Sequence, residues 1–185
     1  MAEITFIIPT IGRPTLQRAI NSLIAQTNKN WKCVVVFDGV DIVNYADDRI
    51  KCIKIEKTGS IGQYHGMSGL VRNHGLRIAD TEWIGFLDDD DTIHQDYVER
   101  LFNKYSDKDL VIWRMAFESG HVVPGFGNEA LIHGNIGISF CYKNKFDDVL
   151  FDENKDGEDL ALVRKIVERS RNYIVTSEVY YKVNH

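Results

Sequence analysis

The densest chemistry in this chain is a run of four carboxylates, Asp88-Asp89-Asp90-Asp91, directly after the apolar residues Phe86-Leu87. Adjacent carboxylates repel one another. A hard divalent cation such as Mg2+ or Mn2+, which takes oxygen ligands, offsets that repulsion. On an extended backbone Asp88 and Asp90 share a face, so one can meet a ribose while the other meets a metal. The same run also reads as a solvated acidic turn, with Asp91 capping a helix that starts near His94. Asp38, in Asp38-Gly39, can accept hydrogen bonds from a base or ribose, although Asp-Gly is also a common turn pair. Arg72 offers a planar fork of donors to a base or a phosphate, or is an exposed helix arginine. In Gly157-Glu158-Asp159-Leu160 a carboxylate can take a proton from an acceptor hydroxyl. Acids in a first helical turn also simply suit the helix dipole. His185 can complete a metal's coordination or be a frayed terminal residue. His65, His121 and His133 lie in glycine-rich loops, His133 being the best placed toward an acceptor.

The elements that must hold these groups alternate. Ile4–Pro9 is a short, β-branched apolar run of the kind a buried strand shows. Leu16, Ala19, Ile20, Leu23 and Ile24 then repeat at helical spacing, with Pro14 suited to the first turn. Strands are expected at Cys33–Phe37, Ile50–Ile55, Trp83–Leu87, Leu110–Phe117, Ile138–Tyr142 and Tyr173–Val183. Between them come a glycine-rich stretch with Gly59, Gly62, Gly66 and Gly69, and a helix around Leu70–Ala79. A helix face is marked by Tyr97, Val98, Leu101, Phe102 and Tyr105, and a last helix by Leu160, Val163, Ile166 and Val167. The segment from Gly120 to Gly137 reads as loop. This rhythm predicts a single α/β domain: a mostly parallel, Rossmann-like central sheet flanked by helices. Ligands bind at the carboxyl ends of such strands, where Thr10, Asp38 and Asp88 all fall.

With 185 residues the chain fits one domain. Its net charge is -5, and its 22 lysines and arginines are dispersed, which argues against binding nucleic acid. An acidic protein that binds a nucleoside diphosphate needs a cation between the two. Cys33, Cys52 and Cys141 match neither a zinc spacing nor a disulfide framework. No window reaches the roughly 20 apolar residues of a membrane span, and the opening residues lack signal-peptide features, so a cytoplasmic protein is expected.

Taken in order, several segments resemble the family 2 glycosyltransferases with the GT-A fold. They are Phe6-Ile7-Ile8-Pro9-Thr10, Arg13-Pro14, Leu23-Ile24-Ala25-Gln26-Thr27, Val36-Phe37-Asp38-Gly39, Arg72-Asn73-His74-Gly75-Leu76, Phe86 to Asp91, Glu158-Asp159 and Tyr181 to His185. The resemblance implies a nucleotide-binding half over residues 1–91 and an acceptor-binding half over 92–185. It implies that Pro9 and Thr10 line the nucleotide pocket, Asp38 holds the base with Arg72 beside it, and Asp88 and Asp89 face ribose and diphosphate. Asp90, assisted by His185, would hold Mn2+ or Mg2+, with the register inside the run open by one residue. Asp159 would be the general base. The implied reaction is metal-dependent and inverting, from a nucleotide-sugar donor, UDP-linked by family habit, to a carbohydrate or other hydroxyl acceptor. Two alternatives stand beside it. A sugar nucleotidyltransferase would open with a Gly-rich basic phosphate loop, whereas Pro9 to Pro14 has one glycine. A non-catalytic nucleotide- or carbohydrate-binding module would have no need of Asp159.

Overall fold

The computed structural model describes residues 2–58, 68–146, 148–152 and 157–185. Of the glycine-rich stretch, Gly59, Gly62, His65 and Gly66 lie outside the described residues. The elements run β1 (Ile4–Thr10), α1 (Leu16–Ile24), β2 (Trp31–Asp38), β3 (Ile50–Ile55), α2 (Ser68–Leu76), β4 (Trp83–Phe86), β5 (Thr92–Ile93), α3 (Tyr97–Lys104), β6 (Leu110–Phe117), β7 (Val122–Val123), β8 (Phe140–Lys143), α4 (Glu158–Arg169) and β9 (Tyr173–Val183).

The strands form one sheet in the order β3-β2-β1-β4-β8-β6-β9-β5, with β7 added to β6. The expected α/β sheet is thus present. Its β3-β2-β1-β4 part is parallel throughout, and β6 and β9 are also parallel. Antiparallel pairs occur where β8 meets β4 and β6, at β6–β7 and at β5–β9. β1 is buried along nearly its whole length, as a central parallel strand covered on both faces must be. That is why its sequence is a continuous apolar run rather than an alternating one. The core joins Phe6, Phe86, Tyr97, Trp113, Phe140 and Tyr181, with edge-to-face contacts such as Phe6–Tyr97 at 5.3 Å between ring centres.

Two glycines let α2 lie unusually close to its neighbours. A Cβ on Gly75 would stand 2.6 Å from Ile7 Cγ2 on β1, and a Cβ on Gly69 would collide with the Glu158 carboxylate. Among the expected elements, α3 begins at Tyr97 rather than near His94. Asp91 therefore caps no helix. It sits in the turn closed by its own N–H to the Asp88 carbonyl (3.1 Å) and is followed by β5. The short strands β5 and β7 carry too few residues for any periodicity to show.

Candidate active site

Register fixes where the acids stand. Thr10 ends β1 opposite Phe37 of β2, and Ile7 of β1 lies opposite Phe86 of β4. The carboxyl ends of β1, β2 and β4 therefore emerge on one edge of the sheet, with Asp38 ending β2 and the aspartate run following β4. The far end of the chain arrives there by another route. β9 pairs antiparallel with β5, Thr92 opposite Lys182 and Ile93 opposite Tyr181, which carries Asn184 and His185 back to the aspartates.

The four aspartates have four different environments. Asp88 receives the Arg72 Nη2 at 2.5 Å and its backbone N–H donates to the Tyr181 hydroxyl at 3.0 Å. Asp89 is buried, accepting from the Thr10 hydroxyl at 2.6 Å and from Arg13 Nη1 at 3.3 Å. Burial pushes its carboxyl above the ordinary carboxylate range, against the pull of Thr10 and Arg13. Asp90 is half-buried, and its Oδ2 lies 2.5 Å from Arg13 Nη1. Asp91 is buried and accepts the Asn184 N–H at 3.1 Å. Burial first, then the nearby Asp88, push the Asp91 carboxyl up to about 7.

Asp90, Asp91 and His185 place one ligand atom each within 4.8 Å of one another. His185 Nδ1 is 4.0 Å from Asp90 Oδ2 and 3.9 Å from Asp91 Oδ1. Two carboxylates and an imidazole are a donor set that suits a divalent cation such as Mn2+. The structure thus brings together the two residues expected to hold a metal, Asp90 and His185, and adds Asp91.

Arg72 is not an exposed helix arginine. It is buried at 3% exposure, and its Nη1 donates to Ser68 at 3.0 Å and to Glu158 at 2.9 Å while its Nη2 holds Asp88. Burial disfavours its charge, but Asp88, Asp159 and Glu158 more than offset that and raise its pKa. The guanidinium thus joins the aspartate run to the start of α4. Asn73, next to it, secures the approach to α4 by a two-way clamp on Phe151: its Nδ2 donates to the carbonyl at 3.0 Å and its Oδ1 accepts the N–H at 2.9 Å.

Asp159 follows Glu158 in the first turn of α4, after Gly157 in a left-handed conformation (φ 78°). Its Oδ1 is buried and has no hydrogen-bond partner among the described residues. Burial pushes the carboxyl up to about 7, with Arg72 opposing and Asp88 and Glu158 reinforcing the shift. A carboxylate with that affinity for a proton and an unengaged oxygen is chemically a base. Glu158, by contrast, is fully engaged by Arg72, Ser68 and the Gly69 N–H.

The remaining expected residues are more dispersed. Asp38 is buried and uses Oδ1 to hold the N–H (2.6 Å) and hydroxyl (2.7 Å) of Thr58. Pro9 is half-buried, opposite Val36 of β2. The exposed His133 ring lies beside Gly157, 3.2 Å from where a Cβ there would stand. His121 is exposed and packs on Phe117. Sequence reasoning assigned no role to Arg13, Tyr181 or Asn184, all of which touch the aspartates. Their only sequence signal is position: Arg13 in the loop after β1, the other two in the last strand segment.

A Rossmann-like sheet with an acidic run at its carboxyl edge and an Arg-Asn-x-Gly helix behind it defines the GT-A class of α/β domain. Residues 5–149 match Glycosyl transferase family 2, and the chain belongs to that family. It is 26% identical over 205 aligned positions to the poly(ribitol-phosphate) beta-N-acetylglucosaminyltransferase TarP of Staphylococcus aureus (strain N315), covering 99% of this chain and 63% of that protein. It is 37% identical over 112 residues to the putative glycosyltransferase EpsH of Bacillus subtilis (strain 168), covering 56% of this chain and 30% of that one. The structure of S. aureus TarS 1-349 in complex with UDP-GlcNAc shares the fold with a TM-score of 0.76 at 20% identity, over 99% of this chain and 58% of that one. The chain thus spans less than two thirds of the length of these relatives. No helix among the described residues is long and apolar enough to cross a membrane.

Proposed function

We propose that this chain transfers a sugar from a UDP-sugar to an acceptor hydroxyl, with inversion at the sugar carbon and with Asp159 as general base. The observation that carries this reading is Asp159 itself: a carboxylate with a proton affinity matched to neutral pH and a buried oxygen without a partner among the described residues. It is tied through Arg72 to the acidic run on the sheet edge. Family membership supports the reaction class. TarP is named as an N-acetylglucosaminyltransferase and TarS was solved with UDP-GlcNAc, so UDP-N-acetylglucosamine is the first donor to test.

In this reading residues 1–91 form the nucleotide half and 92–185 the acceptor half. Pro9, Thr10 and Asp38 border the nucleoside. Thr10 and Asp38 do so while fixing Asp89 and Thr58, so their first contribution is to shape the pocket. Arg72 orients Asp88 and keeps charge near Asp159 balanced. Asp159 takes the proton of the acceptor hydroxyl as its oxygen forms the new bond to the sugar carbon, and the bond to the diphosphate oxygen breaks on the opposite face. Asp90, Asp91 and His185 would hold Mn2+ or Mg2+, which when bound neutralises the charge that develops on the departing diphosphate.

The test is a screen of sugar nucleotides for slow hydrolysis in the presence of Mn2+, which needs no acceptor. Release of nucleoside diphosphate from a UDP-sugar, lost in Asp90→Asn, is the expected result. Turnover of no nucleotide sugar under any divalent cation would overturn the reading.

A further inference from the structure

Among the described residues, Arg13 is the guanidinium that pairs with carboxylates of the aspartate run and that the proposed reaction leaves without a task. It lies in the loop between β1 and α1, directly after Gly12 at φ 83°. Its side chain is 48% exposed, yet Nη1 reaches both Asp89 Oδ1 at 3.3 Å and Asp90 Oδ2 at 2.5 Å. Asp90 Oδ2 is also the atom 4.0 Å from His185 Nδ1. Arg13 therefore stands on an oxygen of the group suited to a cation. Arg72 is not interchangeable with it, being buried and fixed at both ends. The neighbouring Arg18 bonds the Asp90 carbonyl, not its carboxylate.

We infer that Arg13 is a diphosphate-binding residue parked on Asp90, and that a divalent cation entering the Asp90–Asp91–His185 group displaces it toward the donor's phosphates. This rests on the proposed function. The argument is one of charge. A dication and a guanidinium on one carboxylate oxygen repel at close range, and the exposed, flexible arginine is the partner that can leave. The anion delivered with the cation is a diphosphate, whose paired oxygens match the guanidinium fork. Asp89 keeps its second partner, the Thr10 hydroxyl, when Arg13 departs.

The exchange makes opposite predictions for two ligands. In Arg13→Gln, Mn2+ titrated alone, followed by the paramagnetic signal of free Mn2+, binds about two- to fivefold tighter, the range of an exposed ion pair. UDP titrated with Mn2+ present binds roughly tenfold weaker, the loss of a charge-assisted phosphate contact, while uridine binding is unchanged. Arg13→Lys, which keeps the charge without the fork, falls between. Mn2+ affinity unchanged or weakened in Arg13→Gln, or UDP and uridine losing affinity equally, overturns the inference. If the parent binds Mn2+ and UDP in those same titrations, the proposed function survives that failure. A parent that binds neither sinks both.

Discussion

Replacing Arg72 by Met removes the one positive charge that holds three acids together. Arg72 is 3% exposed and pairs with Glu158, itself 9% exposed at the side chain, and with Asp88 at 32%. Breaking a buried pair by deleting one partner costs about 3–5 kcal/mol, because the surviving charge is left uncompensated. The Asp88 contact, about a third exposed, adds little beyond that. For a chain of this length each kcal/mol lowers Tm by about 2–4 °C, so a fall of roughly 6–20 °C is expected. The loss carries a pH signature. Without Arg72, Glu158 and Asp159 hold their protons more tightly in the folded state than in the unfolded state. Stability then falls as pH rises, and acid restores it. The assay is urea unfolding of parent and Arg72→Met at pH 8 and pH 5.5, with Arg72→Lys as the variant that keeps the charge. The deficit should shrink by about 1 kcal/mol or more at the lower pH. A deficit below about 1 kcal/mol, or one indifferent to pH, would refute the view of Arg72 as the keystone of the acidic cluster.

Asp159→Asn should retain UDP binding and lose transfer, with parental turnover showing that the base lies elsewhere. In the parent, the transfer rate should rise with pH and level above about 7, the value to which burial pushes Asp159; a rate independent of pH between 5.5 and 8 contradicts that role. Mn2+ should raise Tm more with UDP than without it, and His185→Ala should reduce that increment without changing Tm in its absence. Asp159 and Asp91 both have raised folded-state values near 7. Their contribution to stability should therefore decline as pH climbs from about 4 to 7 and then stay level, measurable by urea unfolding across that range. Gly75→Ala should cost about 1–3 kcal/mol by driving α2 off Ile7; an unchanged Tm would mean that the helix can shift freely.

Much of the fold is legible because its strands are buried on both faces and so announce themselves as unbroken apolar runs. Ile4–Pro9, Cys33–Phe37 and Trp83–Leu87 correspond to β1, β2 and the stretch through β4. The antiparallel insertion of β8 between β4 and β6 is not legible, since Phe140–Lys143 has the same apolar character whichever way it runs. The candidate site divides in the same way. Its acids can be picked out by type and by position at strand ends. Their individual environments depend on distant partners, as with Asn184 on Asp90, 94 residues apart, and no local pattern reports such contacts. That is why Asp91 reads as a helix cap and is instead a buried neighbour of His185, and why the sequence leaves Arg72 open between a ligand contact and an exposed helix arginine while the fold encloses it.

The pairing of β9 with β5 has a consequence for the acidic turn. The aspartates lie near the middle of the sequence, and the imidazole of their group follows more than ninety residues later, just beyond a strand that pairs with both β6 and β5. The counter-charges of the acidic turn, Arg13 and Arg72, both precede it in sequence. The group of Asp90, Asp91 and His185 therefore depends on a long-range strand pairing, and it is complete only where β9 lies against β5.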